Sequence, residues 1–393
     1  MINVLYILHS SSMTEGSNRS FLLLIKGLIQ KGLVNPVVIL PDNEGLYVAL
    51  KKMNVKTYVV DIPRCYYPSF TTLHNKLFFL YILYFRLLNN IKAVFKVKKI
   101  IQNESIDIVH TNTSVVIAGL LAAKTLGVPH VCHIREYADK DFNMHYIPSI
   151  KCYRRILSGK GCYTICITRD ICDYHGFSKN PRSCVIYNGI ASAMDACDSF
   201  WGNYILFAGR VESAKGVDQL IEAYIVYRKE RNGYLPLLIA GEEDIPSFSM
   251  LIKRRLSEEG LTEDDVKFLG SCGDIEHLMQ QARVLVVSSR FEAFGRCMPE
   301  AMFNKCLVIG KNTGGTKEQL DNGLNLQGQE IALRYDTTEE LTQRLVEVTN
   351  HDKSFYDEMI QRAYDTVVSL YSNESYIDNV YNLYQEILKD AQS

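Results

Sequence analysis

The sequence predicts an α/β chain made of two doubly wound, parallel-sheet domains. Short apolar runs rich in β-branched residues, such as residues 2–8 and 282–287, are free of Gly and Pro and read as buried strands. Each strand run leads into a polar loop, and segments of helical period follow. The series starts at residue 2 and opens afresh at residue 204, on either side of an irregular stretch, residues 191–203, read as a linker. With 393 residues the chain is long enough for two separate cores. Open α/β sheets bind ligands beyond the carboxyl ends of their strands, so the loops there are where function is sought.

In the first half, residues 1–190, strand 2–8 is followed by a polar loop, His9 to Ser20, that contains Gly16 and Ser17, and then by a helix over Phe21 to Ile29. Strands follow at 36–41 and 54–61. Residues 73–100 crowd apolar and aromatic side chains between Leu77 and Leu88, followed by Lys92, Lys96, Lys98 and Lys99. This segment fits a long core helix with a basic solvated face, and it equally fits a surface helix resting on an anionic membrane. Strand 106–110 brings His110 to a polar turn, and strand 130–134 delivers His133, Arg135 and Glu136 to the same edge. Strands at 162–168 and 184–187 complete the half, the latter running into Asn188-Gly189-Ile190.

The second half, residues 204–373, opens with a strand ending in Gly209-Arg210, then Lys215, Gly216 and a helix with Val217, Leu220, Ile221 and Tyr224 on one face. A glycine and two cations between a strand and a helix suit a diphosphate, Arg210 as a fork and Lys215 as a point charge. Strands 236–241 and 266–270 end at Gly241 and Gly270. The richest stretch follows the strand at 282–287: Glu292, Phe294, Gly295, Arg296, Pro299 and Glu300, then a strand at 307–309 and the turn Asn312-Thr313-Gly314-Gly315, with Glu318 beyond it. Pro299 suits the first turn of a helix, and the glycine turn could bring amides close to an anion. Helices are expected at 339–349, 354–371 and 374–389, the last packing back on the first domain.

Glu292 and Glu300 within E-A-F-G-x-x-x-P-E-A-M, followed by a strand and G-G-x-x-E, resemble the donor-site signature of retaining glycosyltransferases of family 4, the group 1 type with the GT-B fold. Gly209-Arg210 to Lys215-Gly216 is similar to that family's G-R-x-x-x-x-K-G element. The resemblance implies two Rossmann-like domains facing across a cleft, an acceptor-side first domain and a donor-binding second one. It implies a retaining hexosyltransferase that moves a sugar from a nucleotide-sugar donor, UDP-linked by expectation, to an acceptor hydroxyl, without a cofactor or metal ion. A sugar or lipid-linked oligosaccharide acceptor is expected, the latter because it fits the basic, aromatic segment 73–100. Catalytic roles fall by this resemblance on His133, Glu292, Arg210 and Lys215. Donor contacts fall on Gly16, Gly209, Gly241, Gly270, Phe294, Gly295, Arg296, Glu300, Gly314, Gly315 and Glu318. Acceptor-side contacts fall on Ser17, His110, Arg135 and Glu136. The chain departs from the family at two places: the usual double glycine near Gly16 is missing, and Ala191 stands where an aspartate follows N-G-[IV].

Residues 1–190 carry 23 Lys and Arg against 11 Asp and Glu, and the remainder 20 against 33, although the net charge is -1. The basic half suits an anionic membrane or acceptor more than nucleic acid. Eleven scattered cysteines read as thiols of a reducing compartment, and no apolar run is long enough to span a bilayer. The expected location is cytoplasmic, at most peripheral to the membrane. A sugar phosphorylase or epimerase on the same fold, and a non-catalytic nucleotide-sugar-binding protein, remain as alternatives. The missing G-x-G-x-x-G after the first strand argues against a dinucleotide dehydrogenase.

Overall fold

The computed structural model describes all residues except 14, 68–71, 143, 193–199, 230–232 and 393. Most of the stretch read as a linker, residues 193–199, therefore lies outside the described residues. The chain divides into two compact units, Met1–Gly189 together with Asn373–Ser393, and Ile190–Ser372.

The first unit is built on a seven-stranded sheet of β1 (Ile2–Ile7), β2 (Val34–Leu40), β3 (Lys56–Val59), β4 (Ile108–Thr111), β5 (His130–Ile134), β6 (Cys162–Cys166) and β7 (Ser183–Val185). The strands are parallel and ordered β3-β2-β1-β4-β5-β6-β7, so the winding reverses between β1 and β4. Its helices are α1 (Gly16–Gln30), α2 (Leu46–Lys52), α3 (Leu73–Leu77), α4 (Phe79–Asn103), α5 (Ala118–Leu126), α6 (Asp139–Phe142), α7 (Ile150–Leu157) and α8 (Arg169–Tyr174). Alternation along β1 explains why its run is apolar throughout. Val4 and Tyr6 pack with Phe21 and Leu24 of α1, whereas Leu5 and Ile7 pack with Val97 of α4 and Ala118 of α5. Both faces are covered by helices, so neither can be polar.

The second unit carries a parallel sheet of β8 (Ile205–Ala208), β9 (Leu237–Ala240), β10 (Val266–Gly270), β11 (Val284–Val287), β12 (Val308–Lys311) and β13 (Leu333–Tyr335), ordered β10-β9-β8-β11-β12-β13. Around it lie α9 (Val217–Lys229), α10 (Pro246–Glu258), α11 (Ile275–Gln280), α12 (Cys297–Phe303), α13 (Gly314–Gln327), α14 (Thr338–Asn350) and α15 (Lys353–Leu370). The following helix, α16 (Asn373–Gln392), belongs to the first unit. Ile377, Val380, Tyr384 and Ile387 recur at helical spacing and enter the same core as Phe21 and Leu24. Gly27 of α1 makes room for them: a Cβ there would stand 2.0 Å from Ile377 Cδ1.

Three expectations are corrected. α1 starts at Gly16, not Phe21, because Asn18 and Ser20 are buried and the Asn18 amide donates to the carbonyls of Ser10 and Ser12 at 3.1 and 2.9 Å. Residues 73–100 do not form one core helix: α3 and α4 part at Phe78, and only Ala93, Val97, Ile100 and Ile101 of α4 are buried. The glycine turn at 314–315 is the first turn of α13, a helix that the sequence reading left out.

Candidate active site

The carboxyl edge of the second sheet gathers the predicted donor residues of the second half, whereas Gly16 lies in the first unit. Gly270, Gly241 and Gly209 follow one another across the ends of β10, β9 and β8, with the Gly241 amide donating to the Gly270 carbonyl at 2.8 Å. Gly241 cannot carry a side chain here, since a Cβ would lie 1.7 Å from the Gly209 carbonyl oxygen. The winding reverses between β8 and β11, and the loops leaving these two strands are sewn together. Ser288 Oγ donates to the Lys215 carbonyl at 2.8 Å, the Arg290 amide to Ala214 at 2.9 Å and Arg290 Nε to Ser213 at 3.0 Å. Such a crossover is where open α/β sheets take their ligands.

This stitching sets Lys215 against Glu292, with Nζ 3.0 and 2.7 Å from the two carboxylate oxygens. Burial pulls the Lys215 pKa down, but the charge and hydrogen bonds of Glu292 outweigh it and leave the pKa raised. The ammonium is therefore charged at neutral pH. Of its three N–H donors two are directed at Glu292, and one is left for a ligand oxygen. Arg210 is about half exposed and pairs with Glu212 at 3.0 Å. The structure thus does not bring Arg210 to Glu292 as an ion pair; each cation has its own carboxylate.

Glu300 sits in the first turn of α12, where Arg296 Nε and Nη2 reach its Oε1 at 3.1 and 3.0 Å. Gly295 adopts a φ of 74°, and a Cβ there would come within 2.6 Å of Glu292 Cγ. The expectation for Gly315 is corrected: its amide donates to the Glu292 carbonyl at 2.7 Å, so it secures the loop and is not offered to an anion. Gln319, which the sequence reading missed, has the same role, its Nε2 donating to the Phe294 carbonyl at 2.5 Å. Phe294 is buried and meets Tyr371 edge-on. Gly314 opens α13 with a φ of 52°, and Glu318 is half-buried on the same helix. Cys297 was also missed; burial first, then the Glu292 carboxylate, pushes its thiol pKa up to about 12.

In the first unit each histidine comes one residue before the carboxyl end of its strand, as expected, but neither side chain reaches an open edge. His110 lies within β4 and His133 within β5, both fully buried, with their rings 5.5 Å apart. The residues past the end of β5 are Arg135 and Glu136. Arg135 donates to Asn112 Oδ1 at 3.2 and 2.9 Å, Asn188 Oδ1 at 2.6 Å, Tyr376 Oη at 3.1 Å and His133 Nδ1 at 3.2 Å. Burial lowers the His133 pKa well below the ordinary value, helped by the Arg135 charge. A guanidinium only donates, so neutral His133 keeps its proton on Nε2, a buried atom with no protein partner. His110 Nδ1 meets Tyr384 Oη at 2.5 Å. Glu136 turns into the fold, its Oε1 accepting from the Ser114 amide at 2.9 Å and Thr113 Oγ1 at 3.2 Å. Gly16 and Ser17 form the first turn of α1, and the Ser17 carbonyl accepts from Asn112 Nδ2 at 3.4 Å. Among the described residues no group of acidic, His or Cys side chains is arranged to hold a metal ion, and no described cysteine is in a disulfide.

The chain is similar to known proteins. The chain is 34% identical over 130 residues to mannosylfructose-phosphate synthase of Agrobacterium fabrum, covering 32% of this chain and 28% of that protein. It is 26% identical over 167 residues to O-antigen chain mannosyltransferase B of Escherichia coli, covering 41% of this chain and 40% of the other. These matches span less than half of either relative's length. A glycosyltransferase from Rickettsia africae ESF-5 superposes with a TM-score of 0.77 at 20% identity, over 99% of both chains. Anabaena Alr3699/HepE, solved with UDP and glucose, gives a TM-score of 0.75 at 16% identity, over 98% of this chain and 100% of that one. The family model described as Glycosyltransferase Family 4 matches residues 14–193, and that described as Glycosyl transferases group 1 matches residues 202–366. Matched by one model in each half, the chain belongs to the group 1 glycosyltransferases of GT-B architecture.

Proposed function

We propose that the chain moves a sugar from a UDP-linked nucleotide sugar to a hydroxyl of a sugar or lipid-linked oligosaccharide. The anomeric configuration is retained, and the product serves cell-surface polysaccharide or glycolipid synthesis on the cytoplasmic side. The observation that carries this is the Lys215–Glu292 pair at the crossover of the second sheet, beside Arg210 and Glu300. The solved relative that holds UDP and glucose, and the O-antigen mannosyltransferase, support the choice of donor and pathway.

Breaking the bond from the anomeric carbon to the diphosphate leaves positive charge on the sugar ring, and the electron pair departs with the phosphate. Lys215 gives its remaining N–H to the leaving oxygens, and Arg210 exchanges Glu212 for a phosphate, so fixed cations serve in place of a divalent metal. Glu292 faces the positive sugar ring, and Glu300 accepts from the ribose hydroxyls. The acceptor oxygen attacks from the side the diphosphate leaves, and its proton passes to the departing phosphate. The first unit binds the acceptor, with Arg135 and His133 as positioning residues there.

The test is a panel of nucleotide diphosphate sugars read by melting temperature and by release of nucleotide, with and without a chelator. UDP and one UDP-sugar should raise the melting temperature, turnover should survive the chelator, and the product should keep its anomeric configuration by NMR. A panel without any nucleotide response, or an inverted product, would overturn the reading.

A further inference from the structure

Between residues 72 and 92, across α3 and the first half of α4, no residue is buried. Leu77, Leu80, Tyr84, Leu87, Ile91 and Phe95 recur three or four residues apart and are all exposed, Leu80 by 76% and Phe95 by 62%. On the opposite side of α4, Ala93, Val97, Ile100 and Ile101 enter the core. The outward face of a surface helix is ordinarily polar, whereas here it is apolar. No Asp or Glu occurs between Asp61 and Glu104, while Lys76, Arg86, Lys92, Lys96, Lys98 and Lys99 all fall in that interval. Lys92, Lys96 and Lys99 are exposed. Where α4 meets α5 there is a groove of about 450 Å³, lined by Ile91, Val94, Phe95, Leu121 and Thr125, with Lys124 beside them.

We propose that this face docks on an anionic lipid bilayer, with aromatic and leucine side chains in the headgroup layer, lysines on the lipid phosphates and the α4–α5 groove receiving an acyl chain. Charge selects this occupant. A second copy of the chain across a two-fold axis would set lysines against lysines, and an apolar protein partner would leave them unpaired. An anionic phospholipid answers both the apolar groove and the cations around it. Contact is peripheral, since no described helix is long and apolar enough to cross a membrane. The inference deepens the functional reading, and it rests on that reading only for the point that such a surface would present a lipid-linked acceptor.

Flotation of the full chain with vesicles tests it, using phosphatidylcholine alone and phosphatidylcholine with about 30% phosphatidylglycerol. Binding should need the anionic lipid and should fall at least about tenfold as salt rises from roughly 0.1 to 0.5 M. Lys92→Gln, Lys96→Gln and Lys99→Gln together should lower partitioning about 10²-fold. Leu80→Ser, Tyr84→Ser and Leu87→Ser together should also abolish flotation, with an unchanged circular dichroism melt. In Phe95→Trp, acyl-brominated anionic lipid should quench emission beyond that of the native Trp201. No binding to anionic vesicles, wild-type binding by both triple variants, or a dimer that these variants disrupt would each overturn the proposal. The melting response to UDP is read on the same proteins: its absence with vesicle binding intact sinks the functional reading alone, and vesicle failure with the response intact sinks this inference alone.

Discussion

Gly216 lies against Ser288 so closely that a Cβ on the glycine would stand 2.0 Å from the serine carbonyl oxygen. The glycine also has a φ of 67°, a region that L side chains enter at a cost of about 1–2 kcal/mol. Strain and collision therefore act together, and the collision is with backbone, which cannot turn away. Gly216→Ala should lower unfolding stability by more than about 2 kcal/mol in urea titrations. Gly270 has the same φ of 67° but nothing within 4 Å of its missing Cβ, so Gly270→Ala should cost only about 1 kcal/mol.

Lys215 and Glu292 give a different signature. Lys215→Ala should reduce turnover by about 10²–10³, and the melting response to UDP should weaken with it. Glu292→Gln keeps the shape of the pair and removes its charge. It should leave the UDP response near that of the wild type while turnover drops, because the carboxylate faces the sugar ring in the proposed chemistry. Isothermal titration with UDP beside steady-state rates separates the two.

Acid should destabilise the first unit through buried imidazoles. Burial lowers the pKa of His110 and His133 well below the ordinary value and pushes that of His130 down to about 3. The unfolded chain then takes up protons that the folded chain refuses. The stability they confer is complete above about pH 6.5 and is lost as pH falls toward the folded values, at up to about 1.4 kcal/mol per pH unit for each histidine. His130 Nε2 is 2.8 Å from Thr111 Oγ1, so His130→Gln should remove one such contribution from the slope between pH 6.5 and 4, measured as urea midpoints.

Helix α16 should be indispensable to the first unit. Tyr376, Ile377, Val380, Tyr384 and Ile387 are all buried in its core. At about 1.5–3 kcal/mol for each fully buried side chain their removal forfeits roughly 7–15 kcal/mol, comparable with the whole stability of a domain. In a chain stopped after Ser372, limited proteolysis should degrade residues 1–189 and spare residues 204–370.

Much of the fold could be read because its signals are local. β-branched runs mark the strands of both sheets, and Pro299 marks α12 within two residues of its start. That Gly209, Lys215, Glu292 and Glu300 gather at the carboxyl edge of the second sheet could be read because each lies in the loop or the first helical turn that follows a strand run. What stayed hidden depends on distant partners. The polar start of α1 is helical because Asn18 bonds carbonyls in the preceding loop, and nothing near Gln319 in sequence announces the carbonyl of Phe294 as its target. The burial of His133 was not legible, because the helix that packs on it through Tyr376 comes more than two hundred residues later.

That separation in sequence has a kinetic side. α16 leaves the ribosome only after every residue of the second unit, so residues 1–189 wait without a wall of their core while about 180 more are made. At roughly 5–20 residues per second this lasts on the order of ten seconds or more. Through that interval the nascent first unit leaves bare the part of its core that α16 covers, around Gly27 of α1, and early chaperone capture of this chain should map there.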